Sequence, residues 1–114
     1  MIVGYNPVKS IVTETMVTTM EKRKVRHEIG KGERISTNST AKHALHRTFP
    51  IGSMVLLVNP TNRLSVQVKI IGKIPDIDTN KDILIKVSDA ACKVLGIVND
   101  RFAIELVYEK TENK

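Results

Sequence analysis

The sequence predicts a mainly β domain, a largely antiparallel barrel or sandwich with one short helix. Three observations lead there. Residues 64–70 alternate: Leu64, Val66, Val68 and Ile70 on one side, Ser65, Gln67 and Lys69 on the other, as in a strand with one wet face. Residues 102–108 repeat the pattern, with Phe102, Ile104, Leu106 and Tyr108 set against Ala103, Glu105 and Val107. The period changes once between them, where Ser88 can cap a short helix, Asp89 suits its first turn and Gly96 provides the stop.

The elements follow in order. Residues 1–24 are rich in Thr, Val and Met before turning basic, and read as a linker or an extra edge strand. Gly30 and Gly32 bracket an expected turn with Glu33 directly after it, and residues 36–40 are a polar loop. Met54–Val58 is a short apolar run ending in the turn composition Asn59-Pro60-Thr61-Asn62, which leads into the first alternating strand. Ile83–Val87 is a further strand, then come the helix and the final strand, and residues 110–114 form a polar tail. The domain therefore spans 25–109, and 114 residues suit one core without staples.

Composition removes several function classes. With no Trp, two Phe and two Tyr, broad stacking platforms for sugars or bases are poorly supplied. The net charge of +6 favours anionic partners, but Lys22, Arg23, Lys24 and Arg26 supply much of it and read as a solvated segment. Nucleic acid ranks last among partners, because neither a recognition helix nor an aromatic platform is present. The single Cys92, inside Ala90-Ala91-Cys92, reads as a packed side chain and excludes an intramolecular disulfide. The first twenty residues lack a basic region followed by an apolar run, so an exported parent would make this chain a fragment without its leader. No stretch approaches the roughly 20 apolar residues of a membrane-spanning helix.

Ala44-Leu45-His46-Arg47-Thr48-Phe49-Pro50-Ile51-Gly52-Ser53-Met54-Val55 resembles the AHRTLPFGTLV signature of rare lipoprotein A-like double-psi β-barrels. Ser65–Ile70 and then Val87-Ser88-Asp89-Ala90-Ala91-Cys92-Lys93-Val94-Leu95-Gly96, similar to that family's DLSxAAxxxLG helix, follow in the family's order. The likeness covers roughly residues 28–108. It implies a six-stranded double-psi β-barrel with one or two short helices. The stretches ALHRTFPIGS, VKIIGKIPD and ILIKVSDAACKVLGI look most like the C-terminal barrel of LysM-containing envelope proteins of Bacteroidetes, which implies a periplasmic or cell-envelope setting.

Glycan cleavage by such barrels needs a carboxyl that protonates the glycosidic oxygen. The resemblance puts that acid in an NDRGP loop. Here the stretch reads Ile71-Gly72-Lys73-Ile74-Pro75, and Gly72 has no titratable group. The family's GE carboxylate matches Glu33 and its motif histidine matches His46. Beside them Arg47, Lys73 and Asp76 complete an expected ligand-binding set, with no catalytic residue, no metal ligand and no cofactor. Arg47 and His46 also suit loop anchoring. Asp76, four residues beyond Gly72, is the nearest acid that a folded-back loop would have to present. The spacing of Asp76, Asp78 and Asp82 lacks the Gly and terminal Glu of a calcium loop, and His27, His43 and His46 make no zinc set. The expected function is a non-catalytic envelope module that binds peptidoglycan or an envelope protein. The alternatives are a lytic transglycosylase with a relocated acid, and, ranked below it, a basic nucleic-acid binder.

Overall fold

The computed structural model describes residues 11–16, 24–37 and 39–110. Its strands are β1 (Ile11–Met16), β2 (Lys24–Ile35), β3 (His43–His46), β4 (Met54–Val58), β5 (Ser65–Gly72), β6 (Ile83–Ser88) and β7 (Arg101–Lys110). One short helix, α1 (Asp89–Val94), precedes β7, and a single 3-10 turn covers Asp78–Asn80. Of the N-terminal segment, residues 11–16 form β1, which pairs antiparallel with the start of β2; the remainder, with Lys22 and Arg23, and the tail at 111–114 lie outside the described residues.

Six strands close on themselves in the order β2-β6-β3-β5-β4-β7, with β7 pairing back onto β2. The barrel is mixed: β2–β6 and β3–β5 are parallel, and the other pairings are antiparallel. Its first half (β2, β3, β4) and second half (β5, β6, β7) make equivalent pairings. The parallel pair β2–β6 corresponds to β5–β3, and the antiparallel pair β2–β7 to β5–β4, so each half threads its strands between those of the other. This is the interlocked connectivity of the expected six-stranded barrel. An antiparallel reading from periodicity alone could not anticipate the two parallel pairs, because alternation reports one wet face and not the neighbour's direction.

Alternation sets the core. Val66, Val68 and Ile70 of β5 point inward and are buried, while Ser65, Gln67 and Lys69 are exposed. They pack with Val55 and Leu57 of β4, Ile85 and Val87 of β6, Ile104 and Leu106 of β7, and Ala91, Cys92 and Leu95 from the helix region. Cys92 is fully buried, and burial pushes its thiol pKa up, as befits a packing residue. Leu64, grouped with the inward set by period, stands before the strand begins and is exposed.

Two expectations near glycines need correction. Gly30 and Gly32 do not bracket a turn: both lie inside β2, which runs unbroken alongside β7. Gly32 is required for a close approach, since a Cβ there would collide with the Phe102 ring of its cross-strand partner. Ser88 takes the N-cap position of α1 but makes no side-chain cap bond. Its hydroxyl instead donates to the Ala41 carbonyl at 3.0 Å and accepts the His43 amide at 3.1 Å, fastening the polar loop to β6. Gly96 acts as read, leaving the helix at φ 70°. Beside it the Leu95 carbonyl accepts from the Asn59 and Asn62 side chains at 2.8 and 3.1 Å, so the β4–β5 turn caps the helix end.

Gly96→Ala should lower stability by about 1–2 kcal/mol, from the left-handed backbone and from a methyl placed 3.0 Å from Asn62 Nδ2. Urea denaturation followed by circular dichroism would check it, with an unchanged native spectrum expected.

Candidate functional site

The six-residue segment from Ala44 to Phe49 turns from a barrel strand into a loop, and its side chains divide between the two faces. Ala44 and His46 are buried; His43 and Leu45 are half-buried. Leu45 pairs with Lys86, and Lys86 with Glu33, so these three side chains share the outward face. His46 pairs with Ile85, on the inward face. Glu33 and His46 therefore lie on opposite faces of the sheet and do not line one groove, contrary to the sequence expectation. A bulge in β6 at Leu84, opposite the step from Lys31 to Gly32, sets this register.

His46 is 6% exposed. Its Nδ1 accepts the backbone amides of Thr48 and Phe49, each at 3.1 Å, and its ring stacks on Phe49 with centroids 3.7 Å apart. A ring accepting twice at Nδ1 carries its proton on Nε2 when neutral, and Nε2 is buried without a partner among the described residues. Burial is the main force holding its pKa down to about 4. Glu28 opposes that shift, while Lys73 and Arg47 add to it. The motif histidine is thus a neutral pin that folds the β3–β4 loop back on itself.

Arg47 and Lys73 serve the same loops. Arg47 donates to the carbonyls of Asn80 and, at 3.3 Å, Ile83, clamping the 3-10 turn to the end of β3. Lys73 Nζ donates to the Phe49 carbonyl at 3.0 Å. Buried Asn80 donates to the Pro75 carbonyl at 2.8 Å. The structure thus gathers His46, Arg47 and Lys73 around one loop.

Glu33 and Asp76 stand apart from that loop. Glu33 pairs with Lys86 at 2.9 Å and Arg101 at 3.1 Å; the Lys86 hydrogen bond and then Arg101 hold its pKa down against the opposing effect of burial. Asp76 is exposed in the loop after Ile74, whose side chain is buried. Gly72 pairs with Leu45, and a Cβ on Gly72 would lie 3.1 Å from Leu45 Cδ2. The outward row across four strands is therefore Gly72, Leu45, Lys86, Glu33.

An open feature of the described surface lies elsewhere. β4 pairs with β7 only over Leu56–Val58, ending at Val107, yet β4 starts at Met54 and β7 runs on to Lys110 beside β2. The strands part, and a cleft of about 710 Å³ lies between them, within the usual ~300–1,000 Å³ of ligand sites. Met54, Val55 and Leu56 form one wall, and Val107, Tyr108 and Glu109 the other. Phe49 lines it as well, sandwiched between His46 and an edge-on contact with Tyr108 at 4.7 Å. The Tyr108 hydroxyl reaches Glu28 at 3.4 Å, and burial, then Glu28, raises its pKa. Sequence reasoning assigned Tyr108 to the inner row of the last strand and so missed the cleft. The available signal was a polar-tipped aromatic at the end of an alternating run, where one end of the ring meets water.

A second charged cluster has a structural explanation. Glu105, buried on the outer face, bonds His27 Nδ1 at 2.8 Å and Arg63 at 3.1 Å. Burial alone would raise its pKa, but these two partners bring it below the usual carboxylate range. No group of three or more His, Cys, Asp or Glu side chains among the described residues has metal-site geometry. Within the same residues no helix is long and apolar enough to cross a membrane. No family model matches the chain, and no curated protein matches it.

His46 makes stability depend on pH. The unfolded imidazole takes a proton near pH 6.5 and the folded one only near pH 4, so the unfolded state binds more protons between these values. Stability should be level above about pH 6.5 and fall by about 3 kcal/mol as the pH drops to about 4. Urea midpoints measured from pH 7.5 to 4 would show this, with a shallower dependence in His46→Phe.

Proposed function

We propose that this chain is a non-catalytic binding module of the cell envelope, associated with peptidoglycan, on a barrel of the lytic-transglycosylase type that has lost its acid. One observation carries the reading: the carboxylate at the family's GE position is closed between two cations, and the acid position is a glycine. Glycan cleavage asks for a carboxyl that still holds its proton near neutral pH. Glu33, paired with Lys86 and Arg101, is held ionised. Gly72 offers no group, and Asp76 sits exposed beyond the buried Ile74.

A binding role uses what is accessible. The β4–β7 cleft has apolar walls and polar groups at Gln67, Ser53 and Tyr108, the mixture that lets a site hold and orient a ligand. The envelope setting and the wall polymer rest on the ordered motifs at residues 44–55, 65–70 and 87–96. The basic cluster gives nucleic acid no comparable support: Lys22 and Arg23 lie outside the described residues, and Arg26 is engaged within the fold.

Sedimentation with purified, insoluble peptidoglycan tests the reading. The protein should pellet with the polymer, and retention should persist at about 0.5 M salt, where a purely charge-driven association is screened. Protein left in the supernatant at low salt would remove wall binding. Release of anhydro-muropeptides at high protein concentration would overturn the non-catalytic assignment.

A further inference from the structure

The His46 ring is the acceptor for two loop amides, and that limits what the ring can do. A neutral imidazole has one nitrogen with a free lone pair, whereas an imidazolium has none, because both nitrogens carry protons. His46 Nδ1 accepts from the Thr48 and Phe49 amides, each at 3.1 Å, so a second proton has to go where those bonds are made. Turning the ring over does not help, since the charged form donates from both nitrogens. Proton uptake and the two amide bonds exclude each other.

We infer that His46 is an acid-operated latch: when its ring takes a proton, residues 48–51 come away from the barrel while the barrel itself stays closed. The surroundings favour release over a charged ring kept in place. The residue is 6% exposed, so an imidazolium left there would have lost its water. Each neighbouring element presents a group to it. Glu28 of β2 attracts the charge, Lys73 after β5 and Arg47 on the loop itself repel it, and the β6 partner Ile85 is apolar. From β7, Tyr108 meets Phe49 edge-on and extends its hydroxyl to Glu28 at 3.4 Å. Lys73 is also a second fastening of the loop, through the Phe49 carbonyl at 3.0 Å. A positive ring therefore repels the residue that holds the same loop.

The movable segment has fixed ends. Before it, Arg47 is tied to the carbonyls of Asn80 and Ile83; after it, the Gly52 amide is bonded to the Ile70 carbonyl at 2.7 Å. Closure of the barrel by β7 against β2 uses no residue of the loop. The segment's apolar anchor is the Phe49 ring, stacked 3.7 Å from His46. Phe49 and Pro50 also line the β4–β7 cleft, so that part of its wall is set only while the ring is neutral, whatever the cleft holds.

A titration of the whole chain from about pH 7.5 to about pH 3, followed by amide and imidazole chemical shifts and by amide exchange, would test the latch. The Thr48 and Phe49 amides should shift with the His46 ring at one midpoint, near pH 4, and lose exchange protection there. Ile104 and Leu106 of β7 should keep theirs. Lys73→Met removes a repelling charge and a fastening at once, and should raise the shared midpoint. His46→Gln, whose amide oxygen can still accept, should abolish the pH response of both loop amides. Three results would overturn the latch: a ring that charges while both amides stay in place, β7 amides lost at the same midpoint as the loop, or a midpoint unmoved or lowered in Lys73→Met.

Discussion

Closure of the sheet by β7 against β2 is the interaction on which the rest depends. Ten consecutive residue pairs, from Lys24–Lys110 to Glu33–Arg101, join the strands and turn an open sheet into a barrel. Closure assigns every side chain to the inside or the outside, because a strand's period of two leaves no third choice. On its other side β7 stays with β4 for three pairs and then leaves it. The cleft opens where those pairs end, between strands that are each paired on their far side, β4 to β5 and β7 to β2.

Within that frame the polar residues of the loops are mostly tethers. Arg47 binds carbonyls of the 3-10 turn and β6, Lys73 the Phe49 carbonyl, Asn59 and Asn62 the helix end, and Arg34 the carbonyl of Ile97 and the carboxylate of Asp89. Irregular backbone in a small barrel leaves many carbonyls facing inward, and each costs free energy unless a donor reaches it. Long cationic side chains reach such groups from a distance while keeping their stems against apolar surface. His46 does the complementary work for amides, accepting two at one nitrogen. A sequence signature rich in His, Arg and Lys can therefore belong to loop architecture as readily as to chemistry.

How far the sequence could be read follows from this. Strands β4 to β7 and the helix were legible because alternation and capping are local: Val66, Val68 and Ile70 betray their face, and Gly96 its turn, within a few residues. The glycines at 30 and 32 misled because a turn and a close-packed strand ask for the same residue, and only Phe102, seventy positions away, distinguishes them. The expected ligand set divided for the same reason. Arg47 and Lys73 meet around one loop, but the faces of Glu33 and His46 depend on the β2–β6 register, where a bulge decides the parity. The cleft was the hardest feature to read because it consists of pairing that stops, and Tyr108 signals only a ring with one end in water, not where a pairing ends.

On the proposed reading, the outward row Gly72, Leu45, Lys86, Glu33 makes the lost acid more than one absent side chain. A general acid must keep its proton near neutral pH, which requires burial or a neighbouring negative charge to push its pKa up. Glu33 would be the negative neighbour, but Lys86 and Arg101 neutralise it. An aspartate at position 72 would press on Leu45, with Lys86 two strands away, about 10 Å by strand spacing, and closer than Glu33. The nearer cation would favour the ionised form and draw the pKa down, opposite to what the chemistry needs. An acid placed at position 72 would keep its proton near neutral pH only if Lys86 and Arg101 were changed as well.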